Sequence, residues 1–186
     1  PVFTNVIVTN NSANSNGGGV YVISNDIVEA NYSRPTFTDV TFSNNSAARG
    51  GGLFLQNSSP SLTRVTFSGN AATGGAGGGI NSQYNALTDE PSIPVLTDVL
   101  FTGNTAVGGG GMFVSNSNAA LNRVLFRNNT ANRRGGGMLI EIADPTLTNV
   151  TFNGNTSNNN LADPRGGGAI MIMGGTPAIN NVTFSG

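Results

Sequence analysis

One phrase recurs along this chain of 186 residues: Val-x-Phe-x-x-Asn-x-Ala, then a gap, three glycines and a short apolar run. Its aromatic position falls at Phe42, Phe67, Phe101, Phe126, Phe152 and Phe184, with Val8 in the same role. Successive copies lie 34, 25, 34, 25, 26 and 32 residues apart, so the period is about 25 with insertions in three intervals. The asparagine three places on is Asn11, Asn45, Asn70, Asn104, Asn129 or Asn155, and Ala13, Ala47, Ala72, Ala106, Ala131 or Ser157 follows it. The glycine runs end at Gly19, Gly52, Gly79, Gly111, Gly137 and Gly168. A unit this short cannot bury its own apolar face, so successive units must stack.

Each copy reads as strand. Val40/Phe42 and Val65/Phe67 alternate with Thr41 and Thr66, and Leu53–Leu55 and Met112–Val114 follow their glycines as short apolar runs. No apolar residues recur at helical spacing over a helical length, and the glycines penalise helix. The expected fold is all-β: a parallel β-helix of about six coils of about 25 residues plus one extra strand, in a single domain over 1–186. Insertion loops are expected at 24–34, 82–92 and 158–165, carrying Asp26, Glu29, Asp89, Glu90 and Asp163.

Stacking turns each sequence position into a column. Two residues after the aromatic stand only Gly or Asn (Asn10, Asn44, Gly69, Gly103, Asn128, Gly154, Gly186), which marks a sharp left-handed corner. The next asparagine then points inward, over its copies at about 4.8 Å, as a structural amide ladder beside the phenylalanine column. An outward column reads Asn5, Asp39, Arg64, Asp98, Arg123, Asn149, Asn181, with opposite charges alternating through its middle. Another reads Tyr21, Phe54, Asn81, Phe113, Leu139, Ile170. If exposed, it is a candidate interface. Loops folding over it, or an inside/outside assignment wrong by one residue, would remove that role.

Composition narrows the chemistry. The chain has no Cys, His, Trp or Lys, and all eight basic residues are Arg. It therefore lacks an imidazole base, a thiol nucleophile and ordinary zinc ligands, and no catalytic residue, metal or cofactor is expected. A net charge of −1 without a basic run argues against nucleic acid. No apolar stretch approaches the ~20 residues of a membrane helix. Asp39 and Asp98 stand two coils apart with Arg64 between them, an arrangement for ion pairs; Glu141, Asp144 and Asp163 are the acids that could gather near the last coils.

The copies Phe42-Ser43-Asn44-Asn45, Phe67-Ser68-Gly69-Asn70, Phe101-Thr102-Gly103-Asn104, Phe126-Arg127-Asn128-Asn129 and Phe152-Asn153-Gly154-Asn155 resemble the F-x-x-N motif of the chlamydial polymorphic membrane protein repeats. Their companion motif, Gly-Gly-Ala before Ile, Leu or Val, stands at Gly167-Gly168-Ala169-Ile170; elsewhere a third Gly replaces the Ala, as in Gly50-Gly51-Gly52-Leu53. The resemblance implies a right-handed parallel β-helix in a secreted or surface-displayed bacterial protein, often an adhesin passenger. The expected function is a non-catalytic extracellular scaffold: a stalk, sheath or self-assembling fibre. Its expected partners are copies of itself, or continuation of a parent chain at both open ends. The alternatives are an adhesin or glycan-binding module contacting a glycan or host-surface ligand, and a polysaccharide lyase or hydrolase.

Overall fold

The computed structural model describes residues 1–24, 33–84, 92–158 and 166–186. The chain winds as a parallel β-helix whose walls are three sheets, every pairing in them parallel. The first sheet runs through Val2–Thr4, Thr36–Thr38, Ser61–Thr63, Val95–Thr102, Ala120–Arg127, Thr146–Asn153 and Ala178–Ser185, with Ile7–Thr9, Thr41–Ser43 and Thr66–Ser68 continuing its early coils. The second is narrow, from Ser46–Ala47 to Thr156–Ser157. The third stacks Val20–Ile23, Leu53–Gln56, Ile80–Gln83, Met112–Ser115, Met138–Glu141 and Ile170–Met173.

The register places equivalent residues over one another. Phe67, Phe101, Phe126 and Phe152 pair in turn, as do Leu62, Leu96, Leu121 and Leu147. These columns, with Val40, Val65, Val99, Val124 and Val150 and the inward residues of the third sheet, make one continuous buried core. Each fully buried Phe or Leu contributes roughly 1.5–3 kcal/mol. A shift by one residue would turn every one of them outward, so the apolar columns and the register enforce each other.

The expected insertion at 82–92 starts too early: Ser82 and Gln83 belong to the third sheet, in register with Leu55 and Gln56. Ser82 is buried and meets the Ser117 hydroxyl at 2.8 Å, so its small polar side chain is satisfied inside the core. The necks of two insertions are tied by serines. Ser33 N donates to Ser24 Oγ at 2.6 Å, and Ser92 Oγ donates to the Gln83 carbonyl at 3.2 Å. The acids expected on the insertions (Asp26, Glu29, Asp89, Glu90 and Asp163) lie outside the described residues.

Corners are made by backbone chemistry. The Gly/Asn column is left-handed throughout, from Asn10 (φ 58°) and Asn44 (φ 53°) to Gly154 (φ 60°). So is the outward column from Asn5 to Asn181, with φ between 50° and 56°. Five of its seven members are Asn or Asp, whose short polar side chains tolerate this conformation. A further corner is built on proline. Pro35, Pro60, Pro94 and Pro145 have fixed φ and no N–H to satisfy, yet their carbonyls accept from Ser61, Val95, Ala120 and Ala178 in the neighbouring coil.

A third left-handed column contains Asn57, Asn116 and Gly174, but also Ile142 at φ 48°. A β-branched residue is strained there, and Ile142 is 65% exposed, so burial does not compensate it. Ile142→Asn is expected to raise stability by about 1 kcal/mol. That corresponds to a melting temperature about 2–4 °C higher for a chain of this size; an unchanged or lower value in a thermal melt would contradict the account.

Candidate functional site

The inward asparagines form an unbroken relay. Asn11, Asn45, Asn70, Asn104 and Asn129 each donate from Nδ2 to the Oδ1 of the next asparagine, ending on Asn155, at 2.9–3.0 Å. Each also donates its backbone N–H to that same oxygen at 3.0 Å. From Asn45 to Asn129 the second Nδ2 proton goes to the carbonyl of the aromatic position one coil back, as from Asn70 to Phe42 at 2.9 Å and from Asn104 to Phe67 at 3.0 Å, while that of Asn11 goes to the Thr9 carbonyl. A carboxamide has two donors and two acceptor sites, and at Asn70 all four are used inside the protein. The network also fixes the amide orientation, because reversing it would set NH2 against N–H. The interior amides of this relay are occupied by one another and by backbone.

The phenylalanine column runs beside it. Ring centroids are 4.8 Å apart for Phe42–Phe67, 5.0 Å for Phe67–Phe101, 4.6 Å for Phe101–Phe126, 4.8 Å for Phe126–Phe152 and 5.3 Å for Phe152–Phe184, with interplanar angles of 3–9°. The glycine run makes room for ring and backbone. A Cβ on Gly110 would lie 2.4 Å from the Gly136 carbonyl oxygen, and one on Gly111 would lie 2.7 Å from Phe126 Cδ1. Ala169 fills the position of Gly111 in the last run, where the following ring, Phe184, is 52% exposed. Ala169, not Gly168, is therefore the structural equivalent of Gly137.

The charged column resolves into two separate pairs. Arg64 donates from Nε and Nη2 to both oxygens of Asp39 at 2.7 and 2.8 Å, and Arg123 grips Asp98 likewise at 2.6 and 2.9 Å. These guanidinium hydrogen bonds hold both carboxyls below the usual aspartate range, and Arg64 and Arg123 are correspondingly raised. Both pairs face water, so they serve register more than stability. Asp144 accepts from the Thr176 N–H and hydroxyl. Among the described residues no three acidic side chains form a metal-binding group.

The expected apolar stripe is not an exposed one. Tyr21, Phe54, Asn81, Phe113 and Leu139 do pair in sequence on the outer face of the third sheet. Yet Phe54 and Asn81 are fully buried, and Phe113 and Leu139 are 8% and 5% exposed. Ile170 is not in this column at all: it pairs with Met138 on the inward side, and Met171 lies beside Leu139. The reason is the Ala169 substitution, which shifts the last copy by one residue against a count of glycines. Of the stripe's aromatic residues only Tyr21 is substantially exposed, at 43%. It packs edge-on against Phe54 at 5.1 Å and donates to Gln56 Oε1 at 2.9 Å. Partial burial raises its phenol above the ordinary value, against the pull of Arg49. The Arg49 guanidinium itself lies 5.9 Å from the Phe54 ring centre and closes that part of the face.

Two outcomes follow. Asn70→Leu strands the Asn45 N–H, the Asn45 amide and the Phe42 carbonyl, each costing ~1–3 kcal/mol. The variant should lose roughly 4 kcal/mol or more in chemical denaturation, and a loss below about 1 kcal/mol would contradict the relay. For the ion pairs, the folded carboxyls sit below their ordinary 3.8, so the unfolded chain takes up protons first as pH falls. Their contribution is complete above that value and fades as pH drops through the folded values. The double variant Asp39→Asn/Asp98→Asn should show a shallower acid limb in melting temperature against pH, and the difference should shrink in high salt. An identical acid limb would contradict the pairing.

Comparison with known proteins follows the same columns. The Chlamydia polymorphic membrane protein repeat matches residues 5–23, 39–56 and 149–172. These segments hold the amide positions Asn11, Asn45 and Asn155 and the runs Gly17–Gly19, Gly50–Gly52 and Gly167–Ala169. The coils between them keep the same asparagine, phenylalanine and glycine columns. No curated protein and no solved structure matches the chain. The chain is a parallel β-helix that is similar, over residues 5–23, 39–56 and 149–172, to the repeat of the Chlamydia polymorphic membrane proteins.

Proposed function

We propose that the chain is a non-catalytic scaffold at a bacterial cell surface, a stiff β-solenoid that serves as a stalk or sheath. The single observation behind this reading is the unbroken amide relay beside stacked rings, a construction that resists bending and stretching along the axis. The repeat type supports the surface placement, since it is named for membrane proteins of Chlamydia. The carboxylates support the absence of catalysis: Asp39 and Asp98 are gripped by arginines and Asp144 holds Thr176, which leaves no acid/base pair in a groove among these three. Copies of the chain, or further coils of the same kind, are the neighbours such a scaffold takes. Each coil presents to the next the same strand edge, ring and amide.

Electron microscopy of source cells, with gold-labelled antibody against this chain, tests the reading. Label on thin protrusions or a surface layer is expected. Label confined to the cytoplasm would overturn it.

A further inference from the structure

The outward side of the first sheet divides at the left-handed column that holds the two ion pairs. On the proline side of that column two rows run in register through three successive coils. One row reads Thr36, Ser61 and Val95, and the other is threonine throughout, at Thr38, Thr63 and Thr97. The residues between the rows, Phe37, Leu62 and Leu96, are buried, so both rows point to solvent. One coil earlier Val2 and Thr4 continue the face. One coil later Ala120 and Asn122 dip into a shallow trough, and there the flat part ends.

The face is uncharged, and among the described residues nothing takes the hydroxyls of Thr38, Thr63 and Thr97. Across the charged column the pattern differs: Ser43 is tied to Thr9 at 2.9 Å, and Leu100, Leu125 and Arg127 break the hydroxyl rows. The unpartnered hydroxyls lie on a grid set by the sheet, about 4.8 Å from coil to coil and about 6.6 Å between rows. Water in a tetrahedral network with O–H···O of about 2.75 Å has second neighbours about 4.5 Å apart and repeats at about 7.3 Å along its hexagonal axis. The axial mismatch of about 0.3 Å per coil stays below the length of one hydrogen bond along the whole face. Each threonine sets a methyl beside its hydroxyl, so apolar surface that orders adjacent water alternates with a group that bonds into it. The grid is also rigid, because a slip of register would turn Phe37, Leu62 and Leu96 outward.

We propose that this face binds ice, laying its threonine grid on the surface of a growing crystal. The inference goes beyond the scaffold role and does not depend on it: freezing behaviour and cellular location are read by separate measurements, so either can fail alone. Nanolitre osmometry of the whole chain tests it through the gap between the melting and freezing points of a single ice crystal. The gap should exceed that of serum albumin at equal concentration, and the crystal should grow with facets. Thr63→Lys and Thr97→Lys should each abolish the gap, because a long hydrated cation holds the face off the crystal. As surface substitutions they should move the protein's own melting temperature by less than about 2 °C, which separates loss of binding from loss of fold. Thr66→Lys, across the charged column, should keep the gap. No gap beyond that of albumin, a gap that survives both Thr63→Lys and Thr97→Lys, or one lost equally in Thr66→Lys would each overturn the proposal.

Discussion

A buried carboxamide must find four hydrogen-bond partners or pay in stability, and in a β-helix the partners lie in the adjacent coils. The spacing of parallel strands, about 4.8 Å, lets one asparagine reach both the amide and the backbone of its neighbour. That requirement fixes much else. The asparagine enters the core only if the preceding residue turns left-handed, which explains the Asn and Gly at 44, 69, 103, 128 and 154. Its Nδ2 reaches the carbonyl of the aromatic position only if the phenylalanines are in register, which brings the rings to 4.6–5.3 Å. The glycines at 52, 79, 111 and 137 must then lack a side chain, because a ring lies against each.

Much of this was legible because the repeat sets each column side by side in the sequence. Phe42, Asn45 and Gly52 could be placed without any knowledge of tertiary structure, since their copies share one environment. What failed was a count. Aligning copies by the end of the glycine run put Ile170 one residue away from its true partner, because Ala169 stands where the other coils have glycine. The left-handed column from Asn5 to Asn181 carried the same Asn-rich signal as the corner that was recognised, but Arg64 and Arg123 obscured it. The proline corner at Pro35, Pro60, Pro94 and Pro145 was equally visible in the sequence. Burial of Phe54 and Phe113 was not legible: period-two alternation says which face a residue is on, not whether something covers that face.

Stability in such a solenoid is close to a sum over coils and their contacts, so each inward column is under the same demand everywhere along the axis. The outer surface is free of it. There the coils differ from one another: paired charges at 39/64 and 98/123, a capped aromatic at Phe54, a β-branched left-handed corner at Ile142.

Amide hydrogen exchange followed by NMR probes the interior demand most directly. The backbone N–H groups of Asn45, Asn70, Asn104 and Asn129 donate to buried carboxamide oxygens instead of to a strand partner. If the relay governs the fold, these amides exchange only through global opening and rank with the slowest in the molecule. Exchange as fast as that of an unstructured peptide would show that the side-chain relay is not formed.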